Sequence, residues 1–169
     1  MKYFLDTEFN EEVDPVEIIS VGLVAEDGRE FYAINTDYSE WSTRWETVNP
    51  WVLMNVRPIM VLEGVETVFG DKTVLRDGVQ AFVGMDPTPE FWAYFGAYDW
   101  FLICRLFSNF EKLPKTWYPI CYDLKQYAKH LAVKLPSKFS PEHNALVDAR
   151  WTKHAFEMVS KGPKEMKWP

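Results

Sequence analysis

The chain has 169 residues, of which 47% are hydrophobic and 25% charged, a composition typical of one globular domain and not of a disordered or fibrous protein. Its net charge of −7 argues against a protein that holds nucleic acid on a uniformly basic surface. No apolar run approaches the roughly 20 residues of a membrane span, and Asp6 and Glu8 interrupt the apolar stretch that a signal peptide needs, so we expect a cytoplasmic protein without a membrane partner.

The first part of the chain predicts an antiparallel meander of three strands. The strands are expected at residues 2–9, 16–27 and 30–35, with Asp27-Gly28 as a hairpin turn. Alternation places two sets of side chains on opposite faces of the first strand. One set is Phe4, Asp6 and Glu8, and the other is Tyr3, Leu5, Thr7 and Phe9.

Helices and strands then alternate. Four residues at helical spacing before Pro58 predict a helix that packs in the core or against another subunit: Trp41, Trp45, Val48 and Val52. Further helices are expected at residues 73–83, 98–107, 123–132 and 144–159, and strands at residues 90–95 and 120–122. This order predicts an α/β fold with a mixed central sheet, in which parallel strands join the meander and helices cover both faces.

We expect one domain over residues 1–160 and a frayed tail over residues 161–169. Ala145 and Ala149 form a strip of small residues that lets the last helix approach the sheet closely. Cys104 and Cys121 lack the spacing of a disulfide framework or a metal site, and both are expected to be reduced core residues.

The charge is distributed unevenly along the chain. Residues 1–100 hold 6 basic and 19 acidic residues, whereas residues 101–169 hold 12 basic and 6 acidic ones. The acidic part is either a solvated surface or one that gathers carboxylates around cations. Lys129, Lys134 and Lys138 either serve solubility or follow a phosphate backbone. Charge alone leaves both questions open.

Asp6 and Glu8 share a face at the end of the first strand, where an unpaired carboxylate is costly. Two carboxylates about 4 Å apart repel by about 4 kcal/mol at an effective dielectric constant of about 20. A divalent cation between them reverses the sign of that interaction. The alternative is a strand that ends early and leaves both side chains solvated, and an isolated D-x-E motif fits that alternative too.

Two later segments carry further candidates. Asp99 follows the run FWAYFGAY, where a strand passes into a helix, and it is suited either to a functional site or to capping that helix. For Asp123 we expect a cap. His143 and Asp148 are five residues apart, about 140° on a helix wheel, so they reach one site only if His143 lies in the entry loop. Otherwise they are an exposed histidine and a solvated aspartate.

Together these residues resemble the DEDDh family of 3′→5′ exonucleases, which has the ribonuclease-H-like fold. Asp6-Thr7-Glu8 match the first motif of the family, Asp99 the second, and His143 with Asp148 the H-x4-D motif. The phrases YFLDTEF, GAYD and H-x-ALVDAR are most similar to the mycobacterial and phage exoribonuclease branch, which acts on adenylated RNA. Many relatives have aspartate where this chain has Asn144, and we expect little effect because Asn144 is not a ligand.

The resemblance implies catalysis by two Mg²⁺ or Mn²⁺ ions in each active site. It implies that Asp6 bridges the ions, that Glu8 and Asp148 complete the first ion site, and that Asp99 acts on the second ion through water. His143, with an ordinary pKa of about 6.5, takes the proton of the attacking water. Bound cations also make the site positive enough to accept a phosphate despite the net charge of −7.

Substrate contacts are less clearly indicated. Antiparallel pairing places the start of the second strand beside the end of the first. The residues expected to contact substrate are Thr7, Phe9, Glu17, Ile18 and Trp100. Phe9 or Trp100 is expected to stack on the terminal base, although each is equally suited to the core.

The expected function is that of a metal-dependent 3′→5′ exoribonuclease that shortens single-stranded RNA and releases nucleoside 5′-monophosphates. An exodeoxyribonuclease is the alternative within the class, since no residue of the sequence is assigned to a ribose 2′-hydroxyl. A non-catalytic nucleic-acid-binding module is the alternative from another class, but such a module gains nothing from carboxylates that repel one another. The resemblance also implies a homodimer.

Overall fold

The computed structural model describes residues 1–161, and six strands form one mixed sheet in the order β4-β3-β2-β1-β5-β6. The strands are β1 (Lys2–Asn10), β2 (Glu17–Ala25), β3 (Glu30–Asn35), β4 (Val68–Gly70), β5 (Glu90–Ala93) and β6 (Cys121–Asp123). The α-helices are α1 (Pro50–Asn55), α2 (Lys72–Val83), α3 (Ala97–Leu106), α4 (Leu124–His130) and α5 (Ala145–Ser160). Except for its first residue, the predicted tail lies outside the described residues.

The meander of β1, β2 and β3 is confirmed. β1 pairs antiparallel with β2, and β2 with β3, and Gly28 has the positive φ of 93° that the hairpin turn requires. The register of β1 and β2 places Asp6 opposite Gly22 and shifts between Glu8 and Phe9. This irregularity comes at the end of the strand that carries the D-x-E motif.

The parallel part of the sheet differs in detail from the prediction. β5 lies parallel to β1 and β6 parallel to β5, as the mixed sheet requires. β5 ends at Ala93, two residues before the predicted end, because the chain turns there: Phe95 has a φ of 57°, and the N–H of Gly96 donates to Asp123 Oδ2 at 3.1 Å. The turn brings the chain directly into α3. β4 was not predicted, since three residues are too few for a recognisable alternation.

The predicted helix through Trp41 and Val52 is wrong. A 3₁₀-helix over Thr43–Glu46 and the short α1 take its place, because Asn49 caps a new helix that begins at Pro50. Trp45 is buried, whereas Trp41 is 88% exposed and is not a core residue of this chain.

Helices cover both faces of the sheet, as expected. Side chains of α2 and α3 pack with Tyr3 and Leu5 on one face. On the other face α5 contacts β1, where Phe156 lies 5.3 Å from Phe4 between ring centroids. A Cβ on Gly22 would lie 2.4 Å from the carbonyl carbon of Ala145, so the first turn of α5 rests directly on β2. The expected close approach of this helix is confirmed.

The structure also bears on the two cysteines and on membrane spans. Cys104 is a buried free thiol and Cys121 a half-buried one, and burial raises the pKa of Cys104 to about 11. Over residues 1–161, every helix is too short or too polar to cross a bilayer.

Candidate active site

Three carboxylates from two elements converge at one end of the sheet. Asp6 and Glu8 come from β1, and Asp148 lies in the first turn of α5. Each offers an oxygen within 4.8 Å of the other two. The contact of α5 with Gly22, the residue paired with Asp6, accounts for this proximity. The sequence had left a solvated strand end open as an alternative, and the convergence argues against it.

Asp99 reaches the same site from the opposite face of β1. Its side chain is 6% exposed, and its Oδ1 accepts hydrogen bonds of 2.7 Å from both the backbone N–H and the hydroxyl of Thr7. It does not cap α3, whose N-cap is Gly96. Asp123, by contrast, caps α4 by accepting from the N–H of Gln126 at 2.9 Å, as predicted. Thr7, expected to contact substrate, lines the cavity of the site and also holds Asp99 in place.

His143 lies in the loop before α5, the placement required for it to approach Asp148. Its φ is 67°, and its backbone N–H donates to Asp148 Oδ2 at 2.8 Å. Its ring packs edge-on against Trp51 of α1, with 4.6 Å between ring centroids and an interplanar angle of 80°. Sequence reasoning missed Trp51 as a neighbour of His143, because a contact between residues so far apart in the chain leaves no local pattern.

Asn144 caps α5 and also joins it to the insert between β3 and β4. Its Oδ1 accepts from the N–H groups of Leu146 and Val147, while its Nδ2 donates to the carbonyl oxygen of Ile59 at 2.8 Å and to the hydroxyl of Tyr32 at 3.1 Å. These hydrogen bonds use both polar atoms of the Asn144 side chain, which agrees with the expectation that Asn144 is not a metal ligand. The amide explains the departure from aspartate, since a carboxylate could not donate to Ile59.

Lys138 is a functional candidate that the sequence did not single out for the site. Its Nζ lies 2.5 Å from Asp148 Oδ1 and 4.1 Å from the centroid of the Trp151 ring. It also lies 4.9 Å from the centroid of the Tyr94 ring. The ammonium group is thus held over two aromatic faces. Within residues 1–161, it is the only Lys or Arg charge that pairs with a carboxylate of the site. In the sequence, the one indication of a role for Lys138 is its place among the lysines of the basic segment, residues 101–169.

The carboxylates are electrostatically unfavourable without a counter-ion. Burial raises the pKa of Asp6 well above its ordinary value, and the charges of Asp99 and Glu8 raise it further. Burial, with the charges of Asp148 and Asp99, raises the pKa of Glu8 to about 8. Burial also raises the pKa of Asp99 to about 6, although the hydrogen bonds from Thr7 oppose it.

The donor set fits a divalent cation. Within the described residues, no N–H or O–H group donates to the side chain of Asp6 or Glu8, although donors hold Asp99 and Asp148 in place. Buried carboxylates without donors need either protons or a cation. Three converging carboxylates are the hard oxygen ligands that Mg²⁺ and Mn²⁺ accept.

The carboxylates line a cavity of about 260 Å³ together with Phe9, Tyr98, Lys138 and His143. A larger cavity, of about 710 Å³, lies elsewhere, between Trp45 and Phe69, and contains none of the site carboxylates. Volume therefore does not locate the site, whereas the chemistry of the side chains does.

The expected substrate contacts divide into two groups. Phe9 lines the cavity and stacks on Tyr98, with 5.1 Å between ring centroids and 12° between planes. Trp100 packs instead against Phe91 in the core. Ile18 is 3% exposed, and Glu17 accepts a hydrogen bond of 2.9 Å from Tyr38 and pairs with two cations. The structure does not bring the side chains of Trp100, Ile18 or Glu17 to the cavity, because the core and this ion-pair cluster hold them.

Residues 1–160 match the family described as the 3'-5' exoribonuclease Rv2179c-like domain. The chain belongs to this family. It is 33% identical over 163 residues to the 3'-5' exoribonuclease Rv2179c of Mycobacterium tuberculosis strain ATCC 25618 / H37Rv, across 95% of this chain and 94% of the relative. The 3'-5' exoribonuclease MT2234.1 of strain CDC 1551 / Oshkosh matches to the same extent. Membership of the Rv2179c-like family confirms the expected enzyme class, a 3′→5′ exonuclease.

A solved structure supports the fold of this Rv2179c-like protein. It is that of S. pombe Pop2p in its Mg²⁺- and Mn²⁺-bound form, with a TM-score of 0.57 over 95% of this chain and 82% of that one. The sequences are only 14% identical, so the likeness concerns the fold alone. The expected ribonuclease-H-like architecture is confirmed.

Proposed function

We propose that this protein is a DEDDh-type, metal-dependent exoribonuclease that removes nucleotides from the 3′ end of single-stranded RNA as nucleoside 5′-monophosphates. The observation that carries the proposal is the convergence of Asp6, Glu8 and Asp148, with Asp99 and His143 beside them in one cavity. The names of the mycobacterial relatives support RNA as the substrate. The adenylated RNA of the resembling branch is the first substrate to test.

Two divalent cations are the proposed cofactors. Asp6, Glu8 and Asp148 would hold one ion, with Asp6 shared with a second ion on the side of Asp99. When bound, such a pair of ions activates a water molecule and stabilises charge on the attacking and leaving oxygens of a phosphodiester. The Mg²⁺- and Mn²⁺-bound form of Pop2p supports the choice of metals.

His143 is the proposed general base. His143 lines the cavity, its backbone N–H donates to Asp148, and its imidazole would take the proton of the attacking water. The perpendicular packing of the Trp51 ring against that imidazole restricts its rotation, and the hydrogen bond from the His143 N–H to Asp148 restrains the loop. Both contacts lower the entropic cost of placing the base.

Phe9 and Tyr98 form the proposed platform for the terminal base. Tyr98 is 48% exposed, and the two rings are nearly parallel, so the pair offers a flat apolar surface at the cavity. Stacking on such a surface tolerates any base. Thr7 lines the same cavity, and its two hydrogen bonds also fix Asp99.

A cleavage assay tests the proposal. Matched RNA and DNA strands, each labelled at the 5′ end and ending in a 3′ adenylate run, are incubated with Mg²⁺, Mn²⁺ or EDTA. A metal-dependent ladder that shortens RNA from its 3′ end supports the exoribonuclease. Equal shortening of DNA supports the exodeoxyribonuclease alternative, and a folded protein that binds but cleaves neither strand supports the binding module.

The implied homodimer is part of this proposal. The insert exposes Trp41, Met54 and Val61 by 88%, 74% and 67%, and Phe69 of β4 by 55%, which gives a second copy an apolar surface to cover. Sedimentation of the protein beside a Trp41→Ser variant measures this. A monomer in both cases contradicts the dimer without affecting the catalytic proposal.

A further inference from the structure

A second cavity adjoins the candidate active site. It has a volume of about 480 Å³ and shares Tyr94 and Lys138 with the cavity of the carboxylates. We call it the lysine cleft and define it by Tyr94, Lys125, Lys129, Lys134, Lys138 and Trp151. The site described above uses only Lys138 among these lysines.

The lysine cleft concentrates positive charge in an acidic protein. Lys125 and Lys129 are four residues apart and project from one face of α4, and Lys134 lies on the segment that follows that helix. Their side chains are exposed, and within residues 1–161 none of the three forms an ion pair. No aspartate or glutamate of the described residues lines the cleft, so the charge of these three lysines is not neutralised there, although Lys138 pairs with Asp148 and the chain carries −7 overall.

Aromatic rings lie between these lysines and the carboxylates. Tyr94 packs edge-on against Trp151, with 4.9 Å between ring centroids. Lys125 Nζ lies 5.8 Å from the Tyr94 ring and 5.7 Å from the ring of Phe95, which is 64% exposed. Unpaired cations beside an exposed aromatic ring, here that of Phe95 at the neighbouring cavity, are an arrangement that binds single strands through their phosphates and bases.

The position of the cleft indicates which part of a strand it would hold. The cavity of the carboxylates has a volume of only about 260 Å³, too small for a strand of several nucleotides, so the rest of the strand must leave it. The two cavities share Tyr94 and Lys138 in their linings, so the lysines are the next surface that a strand leaving the carboxylates would meet on this side.

We propose that the lysine cleft binds the RNA nucleotides on the 5′ side of the scissile bond, with Lys125, Lys129 and Lys134 contacting their phosphates. The inference rests on the proposed function, because it assumes that the 3′ end of the strand enters the cavity of the carboxylates. Its contacts are to the backbone, so the cleft holds RNA and DNA alike and selects for length.

Equilibrium binding in EDTA tests the cleft without cleavage. The probes are 5′-fluorescent adenylate strands, a trimer and a dodecamer each of RNA and of DNA. The proteins are the wild type, Lys129→Gln/Lys134→Gln and the control Lys112→Gln/Lys115→Gln. The control removes the same charge from two exposed lysines outside the cleft. Thermal unfolding checks that all three proteins are folded to the same extent.

We expect the wild type to bind the dodecamer more tightly than the trimer, and the cleft variant to lose most of that difference. The slope of log binding constant against log salt should become shallower by about 1.4 in the cleft variant, because each phosphate contact to a single strand contributes about 0.7. The control should keep the wild-type slope. A cleft variant with the wild-type slope and length preference overturns the assignment, as does a loss confined to RNA and absent from DNA.

Cleavage of the dodecamer with Mg²⁺, measured in parallel, separates this inference from the proposed function. If the wild type shortens the strand and the cleft variant binds it as the wild type does, the RNA-binding role of the lysine cleft is contradicted and the exonuclease proposal is not. A wild type that shortens nothing, while the cleft variant loses salt-dependent binding, contradicts the exonuclease mechanism and leaves the cleft as a strand-binding site.

Discussion

Asp6 is the residue on which the two-metal proposal depends most. It lies among Glu8, Asp99 and Asp148, and no donor of the described residues reaches its carboxylate. We expect Asp6→Asn to abolish cleavage and to leave the metal-free protein at least as stable as the wild type, because the substitution removes one repelling charge. A gel assay and thermal unfolding in EDTA measure the two effects.

The exposed Asp77 provides the control for Asp6, since Asp77→Asn removes a charge far from the cavity and should leave cleavage unchanged. A near-normal rate for Asp6→Asn would contradict the assignment of Asp6 as a ligand.

His143 is expected to act on a proton and not to bind a metal. His143→Ala should therefore slow cleavage by roughly 10²- to 10⁴-fold and keep the stabilisation that Mn²⁺ gives to the wild type. Single-turnover rates and thermal unfolding with and without Mn²⁺ check this. Loss of the Mn²⁺ effect would indicate that His143 is a ligand instead.

Asn144 must be an amide in this chain. Asn144→Asp keeps the cap of α5 but sets a carboxylate against the carbonyl oxygen of Ile59. We expect a loss of about 1–3 kcal/mol in the free energy of unfolding, the cost of an unsatisfied buried group. Denaturant unfolding measures it, with Asn109→Asp as the control, since Asn109 is exposed and only accepts from Glu111. Equal losses in both variants would contradict the role given to Ile59.

Sequence reasoning identified the five residues of the motifs because their order and spacing are local properties of β1, α3 and α5. It missed Trp51 and Lys138, whose roles arise from contacts across the fold. It also expected Ile18 and Glu17 at the cavity. Strand pairing does bring their backbone beside Phe9 and Asn10, but pairing does not determine where a side chain packs.

At the scale of elements, the contact between α5 and β2 sets the geometry of the site. Gly22→Ala would place a methyl group 2.4 Å from the Ala145 carbonyl carbon, and because that neighbour is backbone, the helix must move. Overpacking of this kind costs about 1–3 kcal/mol. We expect the activity of the fraction that is still folded to fall as well, since Asp148 moves away from Asp6.

Activity per folded molecule and thermal unfolding, measured together, check this expectation. The control is Gly28→Asn in the hairpin after β2, where asparagine tolerates the positive φ and no atom lies within 4 Å of a Cβ. A stable, fully active Gly22→Ala would show that α5 can shift without affecting the carboxylates.

Elements with a long, regular pattern were predictable, and short ones were not. The meander follows from its β-branched alternation and its Asp-Gly turn, and α5 from sixteen residues of helical pattern. β4 has three residues and depends on parallel pairing with β3. Trp41 and Trp45 matched a helical spacing, but the cap at Asn49 and the proline after it divide that segment.

At the scale of the whole molecule, the carboxylates couple stability to pH and metal. The folded-state pKa of Glu8, about 8, lies above its ordinary value of 4.5, so the folded protein binds the extra proton. The contribution of Glu8 to stability is present below pH 4.5 and is lost as the pH rises through about 8. In EDTA we therefore expect the melting temperature to fall over this range, and Mn²⁺ to oppose the fall by replacing the protons.

Glu8→Gln is the matched variant for this experiment, because it removes the titrating group and keeps the shape. The decline with pH should be shallower in Glu8→Gln than in the wild type, and Mn²⁺ should stabilise it less. Identical pH profiles for the two proteins would contradict the coupling.

The close approach of α5 at Gly22 also has an electrostatic consequence for the candidate active site. Peptide dipoles aligned along a helix amount to about half a positive charge at its N-terminus, and α5 begins beside the residue paired with Asp6. The backbone thus supplies a permanent, partial counter-charge under the acidic groups. Because the charge belongs to the backbone, it remains in place whichever side chains of the site are substituted, and it offsets part of the repulsion among the carboxylates.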